Sequence, residues 1–183
     1  DVKKETAVLG GAGNVINNLK ALEADVTVIS AIGNDEAGDE LKSMLSNLGV
    51  KLLLSVETGR KTSKKSRIIV SNQQVVRYDK ESKTDISKSS QENILNNLAS
   101  IIDEIDVVLL SDYGKGVLSD ELTCSVIALA NSKNKKVLVD PKGDDYSKYS
   151  GSYLLTPNKK EASLATKIKI DSKESLMTAI KKL

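Results

Sequence analysis

The chain has 183 residues and a net charge of +2, with 39% hydrophobic and 28% charged residues, proportions of a soluble globular protein long enough to bury a core. Lys+Arg at 27 against Asp+Glu at 25 gives no basic excess for gripping duplex DNA. Five Tyr with no Phe or Trp offer no stacking platform for single strands, so no nucleic-acid partner is expected. The absence of His excludes Ser-His-Asp and Cys-His catalysis and imidazole-built zinc sites. A single Cys124 cannot form an internal disulfide and fits a reducing, cytoplasmic setting. No apolar run approaches the roughly 20 residues that cross a bilayer, so no membrane partner is expected.

The chain starts at Asp1, without Met. Gly10-Gly11-Ala12-Gly13-Asn14 precedes a helix carrying Val15, Ile16, Leu19 and Leu22. Val26–Ile32 is β-branched and reads as a strand. Glu36–Leu48 has Ala37, Leu41, Leu45 and Leu48 at helical spacing, with Gly49 as its stop. Val50–Val56 reads as a strand, and Arg67–Val70 and Gln74–Tyr78 as a polar hairpin around Asn72. Lys80–Ser90 is the most linker-like stretch, read as an exposed connection inside a domain. A helix is expected over Gln91–Ile102, a strand over Val107–Leu110, a helix over Glu121–Ala130 and a strand over Lys136–Val139. A short strand over Tyr153–Leu155 follows, and Asn158 opens another helix. The chain stops inside an apparent helix. Apolar strands separated by helices predict βαβ units and a buried parallel sheet, with a small β flap over about 50–80.

Three successive strands end on polar residues: Asp112, Asp140 and Asn158. In open α/β sheets ligands bind beyond the carboxyl ends of the strands. Asp and Asn there also cap the next helix or turn, but three in sequence, backed by Lys115, Lys142 and Glu161, favour a cleft. The glycines at 10–13 suit close backbone approach to a ligand and equally a plain tight turn. They lack the third glycine of the dinucleotide fingerprint, and no P-loop motif is present. Residues 60–67 hold five cations in eight positions. A solvated flap edge and a phosphate grip are both open readings. If the segment is extended, Ser63, Lys65 and Arg67 share a face. Asn158 and Glu161, three apart on a helix start, suit Mg²⁺ binding through water. They suit a capping box better on geometry alone.

In order along the chain stand GGAGNVINNL, AIGNDEAGDEL, TSKKSRIIVSNQQVVRYDKE, SDYGKGVL, VDPKGDDYSKY and LTPNKKEA. Together they resemble the ribokinase-like (PfkB) carbohydrate kinases, and within them the heptose-phosphate kinase branch, over essentially the whole chain. The resemblance implies an α/β fold with a mainly parallel sheet flanked by helices and a β-strand lid. It implies the central part of one kinase domain, incomplete at both ends. It implies transfer of the ATP γ-phosphoryl group to the anomeric hydroxyl of D-glycero-β-D-manno-heptose 7-phosphate, giving a 1,7-bisphosphate for ADP-heptose and lipopolysaccharide core synthesis.

By the same resemblance Gly10, Gly11 and Asn14 contact the sugar, and Thr62, Ser63, Lys65, Arg67, Gln73 and Arg77 close over it, with cations on the 7-phosphate. Asp112 and Lys115 lie between sugar and nucleotide, with Asp140 and Lys142 beside them. Asn158 and Glu161 correspond to the N-x-x-E motif that orients Mg²⁺ and phosphate through water. No G-A-G-D segment occurs, so the catalytic base is expected beyond Leu183 and the isolated chain is expected not to turn over ATP. A homodimer through the lid and a fused nucleotidyltransferase domain are also implied. Two further readings stand beside this one: another PfkB sugar or nucleoside kinase, and a non-catalytic sugar-phosphate binding module.

Overall fold

A computed structural model describes residues 2–183. The chain divides into two compact units, one ending at Ser82 and the other running from Lys83 to Leu183.

In the first unit, α1 (Ala12–Ala21) follows the glycines directly. Gly11 precedes its first turn at φ +53° with no side-chain cap, a conformation that glycine adopts without a Cβ penalty. Strands β1 (Thr27–Gly33) and β2 (Lys51–Glu57) pair in parallel, Thr27 opposite Lys51 through Gly33 opposite Glu57. Helix α2 (Glu36–Ser46) connects them, its N-terminus capped by Asp35 on the Gly38 N–H. Ala31, Ile32, Leu45 and Val50 form the buried apolar set of this unit. The expected hairpin is antiparallel β3 (Lys64–Val70) and β4 (Gln73–Lys80), with a bulge between Ile68 and Ile69. Ser71 and Asn72 make its turn at positive φ.

The second unit is a three-stranded parallel sheet, ordered β5 (Val107–Ser111), β6 (Lys136–Asp140), β7 (Leu154–Leu155). Helices α3 (Lys88–Ile101), α4 (Asp120–Ser132), α5 (Lys159–Thr166) and α6 (Lys173–Lys182) accompany it. Ser87, Ser119 and Ser172 cap three of these with their hydroxyls, satisfying N–H groups that a helix start leaves open.

Two expectations need amending. The parallel strands form separate two- and three-stranded sheets, and β5 alternates instead of being buried throughout. Val108 and Leu110 are buried, while Val107 and Leu109 remain about two-fifths exposed, because only alternate side chains meet the unit's core. The Lys80–Ser90 stretch, expected to be exposed, is anchored: Ile86 is buried and its N–H donates to the Gly116 carbonyl at 2.9 Å. The Gln91 amide holds the Ile86 carbonyl at 3.0 Å. The helix therefore starts earlier than the apolar spacing suggests, at its Ser87 cap.

Candidate functional site

The root of the lid is locked by one carboxylate. Asp35 Oδ1 accepts from the Gly38 N–H at 3.0 Å and Oδ2 from the Thr62 N–H at 3.1 Å. The buried Thr62 hydroxyl in turn accepts from the Gly33 N–H at 2.9 Å. Burial works against ionisation of Asp35, but these donors outweigh it and hold its carboxyl below the usual carboxylate range. A side chain at Gly38 would crowd the Gly33 carbonyl at 2.6 Å, so the glycine permits the close approach. Thr62 is thus a lid anchor, and Ser63 next to it is exposed.

Beyond that root, the register puts Lys65 opposite Asp79 and Arg67 opposite Arg77, so these four share one face of the hairpin. Arg77 grips Asp79 with two bonds, at 3.0 and 2.7 Å, and Lys65 reaches Asp79 at 2.8 Å and Glu81 at 3.4 Å. The Arg77 and Lys65 bonds hold the Asp79 carboxyl far below the usual range. Arg67 faces Arg77 across the ladder without an ion pair of its own among the described residues. Like charges directly opposite repel, and an anion between them would relieve the repulsion. Gln73 is exposed beside the turn, opposite Val70. Gly10, Gly11 and Asn14 are exposed at the start of α1.

In the second unit the three strand ends do come together. Asp112, one residue past β5, is 5% exposed. Its Oδ1 accepts from the Gly114 N–H at 2.7 Å, and its Oδ2 accepts from the Tyr149 hydroxyl at 2.7 Å. Lys148 Nζ stands 2.9 Å from the same Oδ2. Both oxygens are therefore engaged inside the protein, in keeping with the rule that a buried charge is paired. Lys115 is half-buried in the turn between Gly114 and Gly116. At the end of β6, Asp140 is pushed up by burial and then by the Glu161 carboxylate, with Lys142 opposing. Lys142 Nζ pairs with Glu161 Oε1 at 3.1 Å. Glu161 Oε2 accepts from the Asn158 N–H at 3.0 Å, and Asn158 Oδ1 accepts from the Lys160 and Glu161 N–H groups at 3.0 and 3.1 Å. This is a complete capping box, the simpler of the two readings for that pair.

Two buried side-chain oxygens have no hydrogen-bond partner among the described residues: Ser111 Oγ and the Tyr146 hydroxyl. Ser111 is in register with Asp140 on the same sheet face. The Tyr146 phenol is pushed up by burial and then by the Glu161 and Asp140 charges. Polar groups of both signs thus gather here, which suits phosphoryl oxygens and a hydrated cation. No cluster of three metal-ligating side chains exists among the described residues, and Glu161 is already committed to its helix and to Lys142. The donor set therefore fits Mg²⁺ through water and not by direct ligation.

A separate open hollow of about 610 Å³ is lined by Lys83, Asp85, Lys88, Asp120, Glu121 and Lys148 among others. Its charges cancel, and it offers no preference for an anion.

The chain matches the family described as pfkB family carbohydrate kinase over residues 1–183. The chain belongs to the pfkB family of carbohydrate kinases. Its relatives include the bifunctional protein HldE of Sulfurimonas denitrificans, 59% identical over the full chain, and that of Aliarcobacter butzleri, 56% identical over the full chain. The HldE of Helicobacter hepaticus is 56% identical over 98% of the chain. This pfkB chain spans 39%, 39% and 37% of the length of these three relatives.

Among solved structures, the tetrameric inhibited form of phosphofructokinase-2 from Escherichia coli superposes with a TM-score of 0.74 at 17% identity. It covers the whole chain and 63% of its own length. A possible 1-phosphofructokinase from Thermotoga maritima gives 0.74 at 15% identity, covering the whole chain and 62% of its own length. These neighbours establish the ribokinase-like fold, with parallel sheets flanked by helices.

The residues that sequence reasoning missed are Tyr149 and Lys148. Both lie in a 3₁₀ turn, Ser147–Tyr149, that no periodicity announces. The available signals were two tyrosines, Tyr146 and Tyr149, in an otherwise polar loop, both within the VDPKGDDYSKY string.

Proposed function

We propose that this chain carries the sugar-phosphate and nucleotide-phosphate groups of a heptose-phosphate kinase, with D-glycero-β-D-manno-heptose 7-phosphate and ATP as substrates. In the reaction the anomeric oxygen bonds to the γ-phosphorus, the bond from that phosphorus to the ADP oxygen breaks, and the hydroxyl proton passes to a base. The products are the 1,7-bisphosphate and ADP.

The observation that carries this reading is the lid face, where Arg67 stands opposite Arg77 beside Lys65. Against these three cations stand Asp79 and Glu81, which pair with Arg77 and Lys65, so the face keeps a net positive charge at Arg67 that suits a phosphorylated sugar better than a neutral one. The 59% identity to the bifunctional protein HldE over the whole of this chain supports the same branch of the family. Gln73 adds an amide donor, and Gly10, Gly11 and Asn14 supply backbone and amide contacts to sugar hydroxyls.

Asp140, Lys142, Asn158 and Glu161 take the nucleotide phosphates. Mg²⁺ held there through water would neutralise charge on the transferring group. Around it, Lys142 offers a cation, and the Ser111 and Tyr146 hydroxyls are donors for phosphoryl oxygens or bound water. Asp112 and Lys115, in the loop after β5, are the residues of this unit assigned to the sugar. The proton acceptor belongs to an aspartate outside these residues, so the isolated chain binds and orients without turnover.

The lid also supplies a dimer surface in this reading. Ile68, Val76 and Tyr78 share its other face and are about half exposed, an apolar stripe that a second lid would cover. A fused nucleotidyltransferase would account for the word bifunctional in the relatives' name.

Calorimetry and a coupled ADP-release assay test the proposal together. Heptose 7-phosphate should bind while the unphosphorylated heptose does not, with no ADP release from the 183-residue chain. Equal affinity for the neutral sugar would remove the heptose-phosphate assignment, and robust turnover would show that the base lies within the chain.

A further inference from the structure

The hydrogen bonds at the strand ends are not three separate caps. They run as one line from β5 to α5. Asp112 Oδ2 accepts from the Tyr149 hydroxyl at 2.7 Å, and the same hydroxyl oxygen accepts from the Lys142 N–H at 3.1 Å. The Lys142 ammonium then pairs with Glu161 Oε1, and Glu161 Oε2 receives the Asn158 N–H. Tyr149 is 1% exposed, and its hydroxyl bonds to both the β5 and the β6 loops.

The hydroxyl is held from all sides. Lys148 fixes Asp112 at 2.9 Å, donates to the Leu118 carbonyl at 3.0 Å, and sits 5.1 Å from the centre of the Tyr149 ring. The ring packs edge-on against Tyr146 with centroids 5.6 Å apart. Burial pushes the Tyr149 phenol well above its ordinary range, so it remains a donor at any working pH. The phenol accepts from the Lys142 N–H and has two acceptors in reach, Asp112 Oδ2 at 2.7 Å and the Lys142 carbonyl at 3.2 Å, so it ties the Lys142 backbone to Asp112.

We propose that Tyr149 is a positioning residue, holding Lys142 and through it Glu161 and Asn158 in the arrangement that receives the nucleotide phosphates. The consequence for nucleotide binding rests on the reading given above. The line of hydrogen bonds itself does not depend on it, and the two can fail separately.

The experiment uses the 183-residue chain, labelled with ¹⁵N and free of ligand. In Tyr149→Phe the ring packing stays and the hydroxyl goes. The Lys142 and Asn158 amides should both shift and exchange faster, while the Val139 amide stays unchanged. A shift at Lys142 alone, or at neither, overturns the proposal. Should Tyr149→Phe fail to fold, Lys142→Met at the exposed end of the line still decides. It should move the Asn158 amide and leave the Gly114 amide in place, and an unmoved Asn158 overturns the proposal.

Mg-ATP affinity gives the second measure. Tyr149→Phe should weaken it about tenfold, the size of one lost charge-assisted contact, and should weaken it no further in the Lys142→Met background. Additive losses would mean that Tyr149 acts on the fold and not through Lys142, and would overturn the proposal. A parent chain that ignores Mg-ATP sinks the nucleotide assignment, while the amide shifts still decide the role of Tyr149.

Discussion

Replacing Asp112 by alanine would strip the Tyr149 hydroxyl and the Lys148 ammonium of their shared acceptor. Lys148 is 16% exposed at its side chain, so water cannot take over fully. Breaking a buried pair in this way costs about 3–5 kcal/mol, and urea unfolding should register it. The exposed neighbour Asp144, changed to alanine, should stay within about 0.5 kcal/mol of the parent. Asp140 has the opposite sign. Its pKa is raised in the folded state by burial, then by Glu161. The carboxyl thus favours folding while protonated, and that contribution is lost as pH rises through its folded value. Asp140→Asn should therefore be more stable than the parent at pH 7 and equal to it in acid, while losing nucleotide affinity. A variant less stable at pH 7 would contradict this. Asp112, Asp140 and Asn158 were legible because each ends an apolar strand. Tyr149 was not, because its partner Asp112 lies 37 positions away and no short pattern encodes that distance.

The lid hairpin carries its own counter-charges. Asp79 occupies both Arg77 and Lys65, so an incoming sugar phosphate must compete with it for the same donors. Removing one exposed charge beside the bound phosphate is worth roughly fivefold in affinity in water. Asp79→Asn should tighten phosphate-bearing ligands by that factor at low salt, and the gain should shrink as salt screens the site. Calorimetry with heptose 7-phosphate at two ionic strengths checks it, and a loss of affinity at both would place Asp79 in contact with the sugar. The sequence was a good guide to this element: alternation and the Asn72 turn located both strands, and residues 60–67 announced the cations. It could not reveal that the cations come partly neutralised, because Lys65 and Asp79 meet only once the hairpin register is set. Nor could it show Thr62 as an anchor, since its bonds run back to Gly33 and Asp35 in an element placed earlier in the chain.

Across the whole molecule the apolar burial is uneven. Ala31, Ile32, Leu45 and Val50 are the buried hydrophobics of the first unit, and all the others, from Ile86 to Ala179, belong to the second. Helix α1 buries no residue, and both sheets of the first unit have two strands, too few for independent stability in water without a larger packed face. The second unit has three parallel strands, four capped helices, and Val137, Val139 and Ala130 fully enclosed. Alternating strands and helices were readable from periodicity along the entire length, but this imbalance was not. Val107 and Leu109 look as buried in the sequence as Val108 and Leu110, and only the packing separates them. Residues 83–183 expressed alone should therefore unfold as one cooperative transition, followed by circular dichroism and by the exchange protection of the β5 and β6 amides. Residues 1–82 alone should show no cooperative melt. A cooperative transition in the shorter piece, or its absence in the longer one, would mean that four buried side chains and a latch at Asp35 hold more of the fold than burial assigns them.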